Sequence, residues 1–129
     1  MADDPGVPTS KVGNVTRAPE LRFSKAGAAY CKFGLAVTPF VPKGQPEAET
    51  VFYDVTCFGS LAENVAETIE KGARVLVIGT GKVETWTGKD NQEHKTKVIL
   101  ADACGPDLRF ASAVVTRTRG GITVADSAG

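Results

Sequence analysis

The chain has 129 residues, of which 42% are hydrophobic and 23% charged, a composition that suits one hydrophobic core and one globular domain. The 15 Lys and Arg residues balance the 15 Asp and Glu residues, so the formal net charge of zero gives no electrostatic sign of a nucleic-acid partner. The sequence contains neither a secretory signal nor an apolar run long enough to span a membrane, so we expect a cytoplasmic protein.

The cysteines Cys31, Cys57 and Cys104 are widely spaced, and His94 is the single histidine. A zinc site within one chain would have too few ligands, so we expect no metal and no other cofactor. The thiols are expected to be free and mostly buried. Their odd number leaves an intermolecular disulfide open as an alternative.

Two strands are predicted in the first third of the chain. Residues 1–10 are rich in Pro, Asp and Ser and are expected to form a flexible arm, and a weak strand follows from Lys11 to Phe23. Strict alternation from Tyr30 to Thr38 then predicts a strand with one buried face. The prolines between Pro39 and Pro46 end that strand and predict an exposed loop, with Phe40 near its base.

The next strand, Val51 to Phe58, sorts its side chains cleanly onto two faces. One face carries Val51, Tyr53, Val55 and Cys57. On the other face, Phe52 and Phe58 stand among polar residues, which suits the stacking of a flat ligand such as a nucleic-acid base. The alternative is that both rings cover a loop or a neighbouring subunit.

From Ser60 the hydrophobic period changes to about 3.6, which predicts one helix of about three turns. Ser60 to Glu63 has the pattern of a capping box, and Lys71-Gly72 supplies the stop. A long strand is predicted from Ala73 to Trp86, and its segment Val75 to Ile78 is apolar on both faces and therefore expected to be buried on both. Glycines 79 and 81 allow a sharp bend there, and a last strand runs from His94 to Cys104.

Three strands, a helix and two strands are the order of the five-stranded oligonucleotide/oligosaccharide-binding (OB) barrel, in which the helix joins strands 3 and 4. We therefore predict a mainly β fold with an OB barrel over residues 11–104. The aromatic residues Phe52, Phe58 and Trp86 fall on the ligand side of such a barrel. Fold alone is weak evidence of function.

Along roughly residues 12–110, the chain resembles the bacterial single-stranded DNA-binding protein family of the high-GC Gram-positive type. The matching pieces are Gly13-Asn14, Pro19-Glu20-Leu21-Arg22-Phe23, Phe33-Gly34-Leu35-Ala36, Phe58-Gly59-Ser60-Leu61-Ala62-Glu63, Lys71-Gly72, and Trp86 followed by a short polar turn. The resemblance implies a homotetramer that binds single-stranded DNA without sequence specificity in replication, recombination and repair, at the nucleoid. The implied stacking residues are Phe40, Phe52, Phe58 and Trp86, and the implied phosphate contacts are Lys71 and Lys82.

The chain also departs from the family pattern. Asp54, Ser60 and Glu84 stand where well-known members carry a basic residue, so we expect stacking to carry a larger share of the affinity. Residues 105–116 resemble an extra strand that clamps neighbouring subunits. Residues 117–129 are predicted to be a short flexible tail without the acidic tip through which many members recruit other proteins, and if the sequence is complete we expect no tail-mediated recruitment of repair and replication enzymes.

No nucleophile with a partner base, no phosphate loop and no paired carboxylates at a meaningful spacing are present in the sequence, so an enzyme is not expected. Two alternatives from other classes remain open. The first is an OB-fold accessory subunit that acts only through protein–protein contacts, and the second is an RNA-binding OB module.

Overall fold

The computed structural model describes residues 6–39, 41–46 and 49–118. Its elements in chain order are β1 (Val7–Phe23), β2 (Ala29–Val37), β3 (Val51–Phe58), α1 (Gly59–Thr68), β4 (Arg74–Thr87) and β5 (Glu93–Pro106). The predicted mainly β fold, with its helix between the third and fourth strands, is confirmed.

The five strands close into a barrel in the order β1-β2-β3-β5-β4. The first half of β1 pairs with β4, from Val7 opposite Gly81 to Asn14 opposite Arg74, and this ladder closes the sheet. The β3–β5 pair is parallel and the other pairs are antiparallel. A register shift lies between Ile78 and Gly79 of β4, where a bend was expected. At Gly79 a side chain would collide with the backbone oxygen of Leu100, so only glycine fits there.

The barrel interior is filled by alternate residues of β2 to β5. The largest side chains that are completely buried are Phe33, Leu35, Ile99, Val55, Val75 and Val77. The helix α1 packs against β2 and covers one end of this core with Ala62 and Val65, while Ile69 follows directly after its last turn. The predicted inward faces of β2 and β3 are therefore confirmed.

The buried thiols belong to this core as well. Cys31 and Cys57 are opposite each other on β2 and β3, and neither is exposed to solvent. Burial raises the pKa of both thiols, and it raises that of the partly buried Cys104 to about 11. All three are free cysteines in the single chain, and the burial of Cys31 and Cys57 agrees with the sequence prediction.

Two element boundaries differ from the sequence predictions. Residues 7–10, which we expected in the N-terminal arm, already pair with β4 and belong to β1. The helix begins at Gly59, directly after the extended residue Phe58, so Ser60 lies inside the first turn and no side chain caps the helix. The capping-box prediction was wrong because the helix starts without a loop, immediately where β3 ends.

The prediction that Val75 to Ile78 is buried on both faces is wrong for the single chain. Val75 and Val77 are buried, but Leu76 is 36% and Ile78 48% exposed. Val12 of β1 is the cross-strand partner of Leu76 and is also exposed. We call Val12, Leu76 and Ile78 the outer apolar patch.

In the single chain, the segment predicted to be a clamp strand, residues 105–116, is not a separate strand, and its contact with neighbouring subunits stays a prediction. Residues 105 and 106 end β5, and residues 107–118 contain no strand. The Asp107 carboxylate holds the beginning of this segment against β4. It accepts a 2.7 Å hydrogen bond from Nε of Arg74 and a second hydrogen bond from the backbone N–H of Arg109. Both hydrogen bonds lower the pKa of Asp107. Residues 113–116 then lie beside α1. The barrel strands already have neighbours, so a single chain offers this segment little backbone to pair with.

Within the described residues, no helix has the length and apolar character that crossing a membrane requires. Phe40, residues 1–5 and most of the predicted tail, residues 119–129, lie outside the part of the chain that the structure describes.

Candidate nucleic-acid interface

The strand register joins the outward side chains of β2, β3, β5 and the second half of β4, from Lys82 onward, into one continuous face. Cross-strand partners point to the same side of a sheet. Phe58 is opposite Tyr30 of β2, and Asp54 is level with Val98 of β5, which is in turn opposite Lys82 of β4. We call this surface the outer sheet face.

Two of the predicted stacking residues stand at the ends of β3 on this face. Phe52 is 65% and Phe58 53% exposed. The ring of Tyr30 is a neighbour of Phe58, with ring centroids 6.4 Å apart. Phe52 borders an open cleft of about 440 Å³ that is also lined by Lys95 and Lys97 of β5. Both rings therefore keep exposed surface on which a base can stack.

The third predicted stacking residue, Trp86, is 50% exposed and fixed by two side chains of β5. Its indole N–H donates a 2.9 Å hydrogen bond to Oγ1 of Thr96. Its ring stacks on that of its cross-strand partner His94, with centroids 4.5 Å apart and planes inclined by 22°. Such a held ring loses little further freedom when a base stacks on it.

His94 is held in its turn by the hairpin tip. Its Nε2 lies 3.1 Å from Oδ1 of Asp90. The pKa of Asp90 is lowered first by the hydrogen bond from the backbone N–H of Gln92 and then by His94. No role was predicted for His94 from the sequence. Trp86 and His94 flank the predicted hairpin tip at equal distances, and because a hairpin pairs such residues, this spacing could have predicted the contact.

The three aromatic residues are spread along the face. Phe52 and Phe58 are six residues apart on one strand, which corresponds to about 20 Å. Trp86 lies two strands away from β3, and the register puts it beyond the Phe52 end. A ligand that touches all three must therefore be a chain of several flat groups.

The predicted phosphate contacts lie in different places. Lys82 is exposed on the outer sheet face, level with Asp54 and on the same strand as Trp86. Lys71 is exposed in the turn between α1 and β4, outside the sheet, where the next residue, Gly72, donates its N–H to the backbone oxygen of Val15. The structure thus brings Lys82 onto the face of the aromatics, and it places Lys71 on a different element.

Acidic residues reduce the positive charge of the face. Asp54 lies between Phe52 and Phe58 along β3, and its carboxylate is 3.4 Å from Nη2 of Arg17 on β1. Glu84 is exposed between Lys82 and Trp86. The expected reduction in basic character is thus located on the aromatic face itself.

A closed five-stranded barrel with a helix after its third strand, and with aromatics exposed on one face, is an OB barrel with a stacking surface. The model of the single-strand binding protein family matches residues 9–107. The chain belongs to this family, which agrees with the resemblance and with the expectation of a binding protein and not an enzyme.

Its relatives include actinobacterial proteins. The single-stranded DNA-binding protein of Paenarthrobacter aurescens is 38% identical over 112 residues, covering 84% of this chain and 66% of that protein. That of Corynebacterium glutamicum is 40% identical over 115 residues, covering 85% of this chain and 51% of that protein. The chain thus spans between half and two thirds of the length of these relatives.

A solved structure is similar over nearly its whole length. The crystal structure of a small single-stranded DNA-binding protein from Streptomyces coelicolor superposes with a TM-score of 0.72 at 30% sequence identity, covering 81% of this chain and 97% of the other.

Proposed function

We propose that this chain binds single-stranded DNA without sequence specificity, as a protein of replication, recombination and repair that acts at the nucleoid. The observation that carries the proposal is the outer sheet face, on which Phe52, Phe58 and Trp86 are exposed in a chain of this family. Stacking on aromatic rings tolerates any sequence, because every base has a π-face.

The proposed contacts divide into stacking and phosphate binding. Bases stack on Phe52, Phe58 and Trp86, and Lys82 contacts the phosphates between them. Lys71 and Phe40 remain predicted contacts, the first from the turn after α1 and the second from a loop position outside the described residues. An OB fold of this kind covers about 4–16 nucleotides, which suits the spread of the aromatics over more than about 20 Å.

The fluorescence of Trp86 gives a direct test. It is the only tryptophan of the chain and lies on the proposed site, so titration with oligothymidine is expected to quench the intrinsic fluorescence. Single-stranded DNA, duplex DNA and RNA of equal length should be compared, with the strongest quenching and tightest binding expected for single-stranded DNA. A chain that is folded by circular dichroism and neither quenches nor binds would contradict the proposal.

We also propose a homotetramer, in which the outer apolar patch and the segment after β5 contact neighbouring subunits. Leu76 and Ile78 are exposed in the single chain, and so are Leu108, Phe110, Val114 and Val115 of that segment. Apolar surface of this extent on a small domain is typical of a protein interface.

Light scattering tests the assembly. The full chain is expected at about four times the mass of 13.5 kDa, and truncation after Cys104 is expected to lower the average number of subunits per particle, because it removes the apolar segment and the Arg74–Asp107 ion pair. A monomeric full chain would contradict the tetramer, and a truncated chain that still has four subunits per particle would contradict the role of the segment.

A further inference from the structure

A second open groove adjoins the outer sheet face, between β1 and β2. It has a volume of about 550 Å³. Its lining residues are Arg17, Ala18, Glu20, Arg22, Tyr30 and Lys32. None of them was a candidate site residue in the sequence analysis.

The groove is continuous with the stacking surface. Tyr30, one of its lining residues, is the cross-strand partner of Phe58, and the two ring centroids are 6.4 Å apart. Lys32 is the partner of Thr56, the next outward residue of β3. A strand of DNA that leaves Phe58 toward β2 therefore enters the groove directly.

Three cations line the groove, and two of them are paired with carboxylates. Arg22 is 2.7 Å from Glu20, and Arg17 is 3.4 Å from Asp54. Lys32 is exposed and has no ion pair within the described residues. The groove thus carries an excess of positive charge on a chain whose net charge is zero.

The Arg17–Asp54 pair crosses a glycine. The two residues are on β1 and β3, with β2 between them, and the residue of β2 opposite both is Gly34. A Cβ on Gly34 would collide with Oγ1 of Thr16 but would lie 3.4 Å from Nη1 of Arg17, an ordinary contact distance, so the ion pair with Asp54 is what holds Arg17 across the strand. The guanidinium is thereby held at the border between the groove and the aromatic face.

We infer that this groove binds the phosphate backbone of the same DNA strand, as an extension of the stacking surface. The inference rests on the proposed function. Lys32 can contact a phosphate directly, because it does not first have to leave an ion pair within the described residues. Arg17 exchanges Asp54 for a phosphate, and this exchange is easy because the side chains of the pair are 60% and 45% exposed, which makes it worth little on its own.

Two opposite substitutions test the inference on the full chain. Lys32→Gln is expected to weaken binding to long oligothymidine roughly two- to fivefold and to reduce the log–log salt slope by about 0.7, the change for one phosphate contact. Asp54→Asn frees Arg17 and is expected to tighten binding by a similar factor and to steepen the slope. Arg109→Gln and Asp102→Asn make the same charge changes outside the groove and are the matched controls, and light scattering must show the parent's number of subunits for both, because Arg109 belongs to the segment after β5 and Asp102 lies beside Ile78.

The length of the DNA gives a further readout. The effect of Lys32→Gln is expected to fade as the oligothymidine is shortened within the range of about 4–16 nucleotides, because a short strand held by the aromatics does not reach the groove, whereas Asp54 lies on the aromatic face and its substitution still acts on short strands. If the parent quenches Trp86 and binds, while Lys32→Gln and Asp54→Asn match their controls at every length, the groove is not a phosphate site and the proposed function stands. If the parent does not bind at all, both proposals fail.

Discussion

Replacing Trp86 by alanine is expected to weaken binding to oligothymidine by about 1–3 kcal/mol, roughly 5- to 150-fold, and the same holds for Phe52→Ala and Phe58→Ala. Each substitution removes an exposed ring from the outer sheet face and leaves Lys82, the proposed phosphate contact on this face, unchanged. Because the Trp86 variant has lost the intrinsic fluorophore, the dissociation constants should be measured by the anisotropy of a labelled oligonucleotide.

A phenylalanine on the other side of the sheet gives the matched control. Phe23 is 60% exposed, but its cross-strand partner is the buried Ala29, so it does not belong to the outer sheet face. Phe23→Ala is expected to bind like the parent. Three aromatic variants that also bind like the parent would show that stacking on these rings is not the mechanism.

The largest expected effect on stability is that of Phe33→Ala, which should lower the free energy of unfolding by about 3–5 kcal/mol. Phe33 has no solvent-exposed surface, so its removal leaves a cavity in the barrel core. Since small domains are stable by only about 5–15 kcal/mol, a large part of the total would be lost. Urea unfolding followed by circular dichroism measures the change.

Phe52→Ala is the control for this experiment too, because the same atoms are removed from a side chain that is 65% exposed. Its free energy of unfolding is expected to stay within about 0.5 kcal/mol of the parent. The two phenylalanines should thus separate stability from binding. Equal unfolding midpoints for Phe33→Ala and the parent would contradict the assignment of the core.

Alternation of apolar and polar residues was enough to predict β2, β3 and the exposure of Phe52 and Phe58. In a strand with one buried face, every second residue is apolar, so the pattern is visible in the sequence. The same reasoning failed at Leu76 and Ile78. The sequence pattern of an outward apolar residue is the same whether its own chain or another copy covers it. The exposure of Leu76 and Ile78 could therefore be found only from the three-dimensional structure of the barrel.

The charged part of the candidate site was beyond sequence reasoning for a different reason. Arg17 and Asp54 are separated by 37 positions and meet only through the register of three strands. Asp54 was recognised in the sequence as an acidic residue at a position where other family members carry a basic one, but its ion-pair partner Arg17 was not predicted. The helix start was missed because a capping pattern at Ser60 says nothing about a preceding strand that leads straight into the helix.

The stack of Trp86 on His94 has a consequence for how DNA would lie on the protein. One face of the indole is occupied by the imidazole, so only the opposite face is open to a base. While His94 keeps this position, two neighbouring bases would not enclose Trp86 between them, and a column of stacked bases would end at this ring. Trp86 would then fix the position of the first stacked base. The remaining nucleotides would continue from Trp86 over Phe52 toward Phe58.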